Sequence, residues 1–316
     1  MFRSTLFRLR PGRGTVGATT ILLAAVLALV GACAGEPAAA SASAPASGGN
    51  AAAETAAAPS GAPVDNAVTI SMPGMSYEVS GTLRPGVGSI TLVNDDDVTH
   101  MMAFAHLKDG ITLDQVKTAL AQGEDALGAL LAESPDTSYG TPDLLGPGET
   151  ETVTALDLKA GHYALACFLV AADGTPHWQM GMVGELTIAG DPASDKPADD
   201  GTITVDDSAI ALPDGFTGHG TYLVTNAGQQ GHNFSMARLD DGTTLAQFAG
   251  HVGQAMGTGG VIDGGGGVLV GGIDALAPGQ SAYLTLDLKS GHYGYISPTD
   301  MTGPDLPAQS GEFDVA

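Results

Sequence analysis

Alternation of apolar and polar residues marks Ser89-Ile90-Thr91-Leu92-Val93, broken only at its end, where the segment runs into a polar cluster beginning at Asn94. Side chains of a strand point alternately to its two faces, so this segment reads as a half-buried β-strand. Thr152 to Leu158 alternates likewise after the turn at Pro147-Gly148, and Met182 to Ile188 reads as a closing strand. Tyr163, Leu165 and Cys167 fall on one face of a further strand. Thr112 to Glu133 breaks the pattern. There Leu113, Val116, Leu120, Leu127, Leu130 and Leu131 lie near helical spacing, which predicts a helix. Short strands, Gly/Pro turns and one inserted helix predict an all-β, Greek-key β-sandwich.

The pattern occurs twice, at an offset near 130. Leu156-Asp157-Leu158-Lys159-Ala160-Gly161-His162-Tyr163 returns as Leu286-Asp287-Leu288-Lys289-Ser290-Gly291-His292-Tyr293. Asn94 and His100 have the same separation as Asn226 and His232. Leu107, Asp109, Gly110, Thr112, Leu113 and Gln115 correspond to Leu239, Asp241, Gly242, Thr244, Leu245 and Gln247, and Pro147-Gly148 to Pro278-Gly279. Matches in one order over such a length point to a duplicated domain, not to a short-period solenoid. They predict a first domain over 65–190, a polar linker over 191–202 and a second domain over 203–316. The second copy has a weaker, Gly-rich helical counterpart from Leu245 to Met256.

The N-terminal 32 residues carry Arg3, Arg8, Arg10 and Arg13 and no acidic residue, followed by an apolar run from Ile21 to Val30. A basic start, a short apolar core and small residues before a cut form the pattern of a secretory signal over 1–32. The run is shorter than the roughly 20 apolar residues of a membrane span. Leu29-Val30-Gly31-Ala32-Cys33 resembles a bacterial lipobox, which implies lipidation of Cys33. Over 33–64 the chain is mostly Ala, Ser, Gly and Pro, with only Glu36 and Glu54 charged. Such a segment buries too little apolar surface to offset its ordering entropy and reads as a flexible tether. The expected location is the extracytoplasmic face of the cell membrane, held there by lipid.

The net charge is −24, and removal of a leader with four Arg makes it more negative. That argues against a nucleic-acid partner. The chain has two Cys. With lipid on Cys33, Cys167 has no disulfide partner within the chain, and a lone thiol outside the cell is a liability unless buried or bound.

Four residues of the first copy combine into one chemistry. His100 follows a strand and a polar turn, Cys167 ends the next-to-last strand, and His177 and Met182 lie on the loop into the last strand. This order, together with Gly161-x-Tyr163-x-Leu165-x-Cys167, resembles the cupredoxins, the blue-copper family, over residues 78 to 189. The resemblance implies copper held by the Cys167 thiolate, the His100 and His177 imidazoles and an axial Met182 thioether, and either single-electron transfer to a redox partner protein or copper holding. Thiolate and imidazole suit both Cu(I) and Cu(II), and a weak thioether tunes the potential. Met180 is a weaker axial candidate, being closer behind His177 than the family's usual spacing. The Cys167–His177 stretch is longer than the family's usual few residues, although Asp173-Gly174 supplies a turn by which it folds back. Met101 follows His100, where the family often places Asn.

In the second copy Ser297 stands where Cys167 stands, Asn233 follows His232, and no His follows Ser297. Met301 alone cannot make the site, so copper is expected in the first domain only. His162 and His292 sit in the repeated turn and read as structural. No Gly-x-Ser-x-Gly elbow, His-Glu-x-x-His helix or phosphate-binding loop occurs, so the chain is not expected to be an enzyme. The run Gly264 to Gly267 reads as a flexible loop. The competing reading is a metal-free binding or scaffold lipoprotein, in which Cys167 is a small buried hydrophobe and His100 caps a turn.

Overall fold

Over the first copy the chain forms β1 (Ala67–Met72), β2 (Glu78–Gly81), β3 (Gly86–Asn94), β4 (Ala103–His106), α1 (Leu113–Gln122), α2 (Glu124–Gly128), β5 (Thr150–Leu158), β6 (Gly161–Ala166), α3 (His177–Met180) and β7 (Val183–Ile188). Over the second it forms β8 (Thr202–Val205), β9 (Ile210–Ala211), β10 (His219–Asn226), β11 (His232–Leu239), α4 (Leu245–Thr258), β12 (Gly267–Leu276), β13 (Ser281–Asp287), β14 (Gly291–Ile296) and β15 (Ser310–Val315). This computed structural model describes residues 65–134, 137–297 and 309–316. The signal segment 1–32, Cys33, the tether to 64 and Met301 lie outside the described residues.

The two copies share one sheet of eight strands in the order β2-β1-β3-β5-β13-β10-β8-β9, which reads as a palindrome about the β5–β13 junction. There Thr152 to Ala155 of β5 pair antiparallel with Ala282 to Thr285 of β13. Each copy covers its half with a second sheet, β4-β6-β7 in the first and β12-β11-β14-β15 in the second. The architecture is the predicted pair of all-β sandwiches, each with a helical insertion.

The alternation in β3 places Ile90 and Leu92 in the core. Its other face carries hydroxyls that pair across to β5, Ser89 with Thr154 at 2.7 Å and Thr91 with Thr152 at 2.9 Å. Thr221 with Thr285 and Thr225 with Ser281 repeat the device between β10 and β13. Burial of a Leu or Ile side chain contributes about 1.5–3 kcal/mol. The core of the first copy does not stop at its own boundary. The cluster holding Ile90, Leu165, Cys167 and Met182 runs on into Leu239, Phe248, Val252 and Ile262 of the second copy.

The helical pattern over 112–133 yields two helices where one was predicted. Gly123 separates α1 from α2 with φ of 110°, a conformation that side chains other than Gly rarely adopt. Both α1 and α4 begin with the same capping box, Thr112 with Gln115 and Thr244 with Gln247, in which side chain and backbone satisfy each other's end groups. Thr112→Ala and Thr244→Ala are each expected to lower unfolding free energy by about 1 kcal/mol in urea titrations. Wild-type midpoints in both would remove these caps from the account of the helices.

A buried polar seam joins the copies. Glu151 of β5 accepts the Gly272 N–H of β12 on Oε2 at 2.7 Å, while its Oε1 is buried and meets no hydrogen-bond partner. Ser235 of β11 donates its hydroxyl to Asp143, and Asn233 donates to Asp274 at 3.1 Å. Gly271 carries φ of 92°, and a Cβ there would fall 2.2 Å from Glu151 Oε2, so a glycine lets the carboxyl in. Burial raises all three carboxyls. Asp143 is pushed up to about 7 by burial and then by the Asp274 charge. Glu151 stands well above the usual carboxylate range for want of solvent, against the pull of the Gly272 N–H.

Candidate metal centre

β6 carries Tyr163 and Leu165 into the core and delivers Cys167 one residue past its last paired position. His100 sits just before β4, where its backbone exchanges two hydrogen bonds with Leu145, at 3.0 and 2.9 Å. Asn94 holds this turn by donating to the Val98 and Leu145 carbonyls, and Asn226 does the same in the second copy with Gln230 and Leu276.

The long stretch after Cys167 is absorbed by a hairpin. Ala171 N–H bonds to Thr175 O, Gly174 N–H to Ala171 O, and Val170 bridges Pro176, with Gly174 at φ of 81° at the predicted Asp173-Gly174 turn. His177 N–H then bonds to Leu169 O at 2.8 Å and Trp178 N–H to Cys167 O at 2.9 Å, so His177 returns to the thiol. α3 carries the chain back, and Met182 O accepts the Cys167 N–H at 3.2 Å.

The donor atoms converge. His100 Nδ1 lies 3.2 Å from His177 Nδ1, and Cys167 Sγ lies 3.4 Å from His177 Nδ1. Among the described residues these three form the one group whose ligand atoms suit a metal, all within 4.8 Å of one another. His100, Cys167 and Met182 are fully buried, and His177 nearly so. Met180 is 46% exposed, so it is not the thioether of this buried cluster. Met182 shares the core cluster with Cys167.

Charges around the cluster are arranged on its outer side. His100 Nε2 donates to Asp96 Oδ2 at 3.0 Å, which fixes the ring with Nδ1 facing Cys167 and His177. Burial opposes ionisation of Asp96, but the Asp97 N–H and the His100 ring hold it below its ordinary value. Desolvation lowers His100, against Asp96 and then Asp263. Desolvation also lowers His177, aided by repulsion from His100 and opposed by Asp263 and Asp96. Burial pushes the Cys167 thiol up to about 11, while the Met101 and Leu169 N–H groups pull it down. Tyr77 packs against the core cluster that holds Cys167, its hydroxyl donating to the Met101 carbonyl. Asp96, Asp263 and Tyr77 were not singled out in the sequence. Asp96 stands in a run of acidic residues, and only the fold separates it from its neighbours.

In the second copy the equivalent place is closed by hydrogen bonds. Ser297 Oγ–H donates to His232 Nδ1 at 3.1 Å, and His232 Nε2–H donates to Asp207 Oδ1 at 2.9 Å. The persistence of His232 without a thiol therefore has a structural basis. Asn233, the residue beside it, serves the seam. His162 and His292 pair with surface acids, Glu185 in the first copy and Glu312 with Asp314 in the second.

Fold and cluster together are cupredoxin-like, and a thiolate, two imidazoles and a neighbouring thioether are the donor set of a type 1 copper site. No protein-family model and no curated protein matches the chain. Solved structures similar to it include auracyanin A of Chloroflexus aurantiacus, described as a blue copper protein, at 20% identity over 39% of this chain and 98% of that one, TM-score 0.27. A multicopper oxidase matches at 13% identity over 79% of this chain and 88% of its own, TM-score 0.21. Copper nitrite reductase of Nitrosomonas europaea matches at 12% identity over 79% and 93%, TM-score 0.22. The last two are named as enzymes, and the expectation that the chain is not an enzyme is withdrawn. That expectation rested on missing hydrolase and phosphate-binding motifs, which a copper redox enzyme does not need.

Proposed function

We propose that the protein is a lipid-anchored extracytoplasmic copper protein, in which His100, Cys167, His177 and Met182 of the first domain hold one copper ion for single-electron transfer. The observation that carries this reading is the approach of His100 Nδ1, His177 Nδ1 and Cys167 Sγ to one another inside the buried core. Copper bound there would supply a one-electron couple. The chain's own contribution is rigidity. Backbone bonds fix Cys167 to Met182 and Trp178, and His100 to Leu145, so the donors need little rearrangement between charge states. The Met101 and Leu169 N–H groups offset part of the cost of a buried thiolate. Cys33 supplies the anchor, and a tether of small residues leaves the folded part free to meet a redox partner protein.

Titration of the purified chain with Cu(II) tests the site. One equivalent per chain is expected to produce an intense visible thiolate-to-metal absorption that disappears on reduction and returns on oxidation. A chain that takes up no copper, or takes it up without that absorption, is incompatible with the proposal.

A further inference from the structure

Among the described residues, the one from outside the first copy whose side chain bonds next to a proposed ligand is Asp263, from the segment between α4 and β12. Its Oδ1 accepts the Thr99 N–H at 2.9 Å and the Thr99 hydroxyl at 2.5 Å, across 164 positions of sequence. Thr99 is buried and directly precedes His100. The carboxylate is held in place from three sides. Ile262 is buried in the core cluster that contains Cys167 and Met182. His251 of α4 donates to the Asp263 carbonyl at 3.2 Å. Gly264, Gly265 and Gly266 follow with φ of 93°, 72° and 87°, a left-handed run available to glycine, and the Gly266 carbonyl accepts the Asp240 N–H. The stretch read as a flexible loop is thus a defined reversal that aims one side chain. A second tie runs parallel: Leu145, paired with His100, bridges Val270 of β12, and Gly146 N–H bonds to Leu269 O.

We infer that Asp263 is a positioning residue of the copper centre, through which the metal-free second domain fixes the turn presenting His100 and places a negative charge that lowers the site's reduction potential. The inference rests on the copper reading above. Two charge-assisted hydrogen bonds from one carboxylate add to the ties that Asn94 and Leu145 already give that turn. A carboxylate bonded to the buried residue that directly precedes His100 acts on that imidazole through a medium of low effective dielectric. A carboxylate there favours Cu(II) over Cu(I), in the same direction as Asp96.

The test uses the full chain with Asp263→Asn and Asp263→Ala. Asn keeps an acceptor for Thr99 without the charge, and Ala removes both. Both variants are expected to show a midpoint potential above wild type by redox titration. In the metal-free protein, Ala alone is expected to speed amide exchange at Thr99 by about tenfold, as loss of one hydrogen bond implies, and Asn to restore protection. A potential unchanged in both variants, in chains that keep the visible absorption, overturns the inference and leaves the copper reading standing. Wild-type protein that gives no absorption with Cu(II) overturns the copper reading, and the inference with it.

Discussion

A Cys167→Ser chain given one equivalent of Cu(II) is expected to show none of the intense visible absorption that the wild-type chain develops. The transition needs a sulfur donor, and a serine hydroxyl stays protonated where the thiol can be deprotonated by a bound cation. The protein already contains the control. Ser297 occupies the equivalent place in the second domain and is satisfied there by His232 at 3.1 Å. A hydroxyl at position 167 can bond to His177, whose Nδ1 lies 3.4 Å from the Cys167 sulfur, so the variant should fold with a thermal midpoint near that of wild type. Its Cu(II) affinity should fall at least about a hundredfold, the upper end of what loss of a mere supporting group costs. Competition with a chelator of known affinity measures that loss. A variant that folds, binds copper as tightly as wild type and keeps the absorption would place the metal elsewhere.

Stability is expected to fall as pH rises from about 4 to above 7. The cause is the seam, where Asp143 is raised to about 7 and Glu151 and Asp274 are also raised. A carboxyl raised in the folded state binds its proton more tightly there than in the unfolded chain. Its contribution is therefore complete below the unfolded value near 4 and is lost as pH passes the folded value. At 1.36 kcal/mol per unit, the change is on the order of a few kcal/mol. His100 and His177 act in the opposite sense, since burial lowers them and the unfolded chain binds more protons until pH passes about 6.5. Asp143→Asn and Glu151→Gln isolate the seam, because each keeps an acceptor for Ser235 or Gly272 and cannot ionise. Urea unfolding at pH 5 and pH 8 is expected to show a smaller drop in both variants, and higher stability than wild type at pH 8. Equal slopes in all three chains would show that the seam does not titrate in this window.

Much of this was legible in the sequence because it rests on local rules. Alternation located β3 and β5, the repeated Leu-Asp-Leu-Lys segment pointed to the duplication, and the order His100, Cys167, His177 pointed to the three side chains that the fold brings together. The Asp173-Gly174 turn explained in advance how a long ligand loop closes. What stayed hidden is long-range. In a chain with 35 acidic residues, nothing local distinguishes Asp263, or the seam carboxyls Asp143, Glu151 and Asp274, from solvated surface acids. Their partners are brought by the packing of one copy on the other. The glycine run before β12 looked slack because glycine permits many conformations, and only the packed structure selects one. The break of the first helix at Gly123 escaped for a related reason, since leucine spacing continues across it.

The antiparallel pairing of β5 with β13 means that neither copy ends in a free strand edge at the junction. Truncation after the first copy would strip β5 of its neighbour, leave a row of unsatisfied amides and carbonyls open to other chains, and uncover the apolar faces beneath α4. The copy without the thiol is for that reason not dispensable: it needs no metal ligands to keep its place in the sheet.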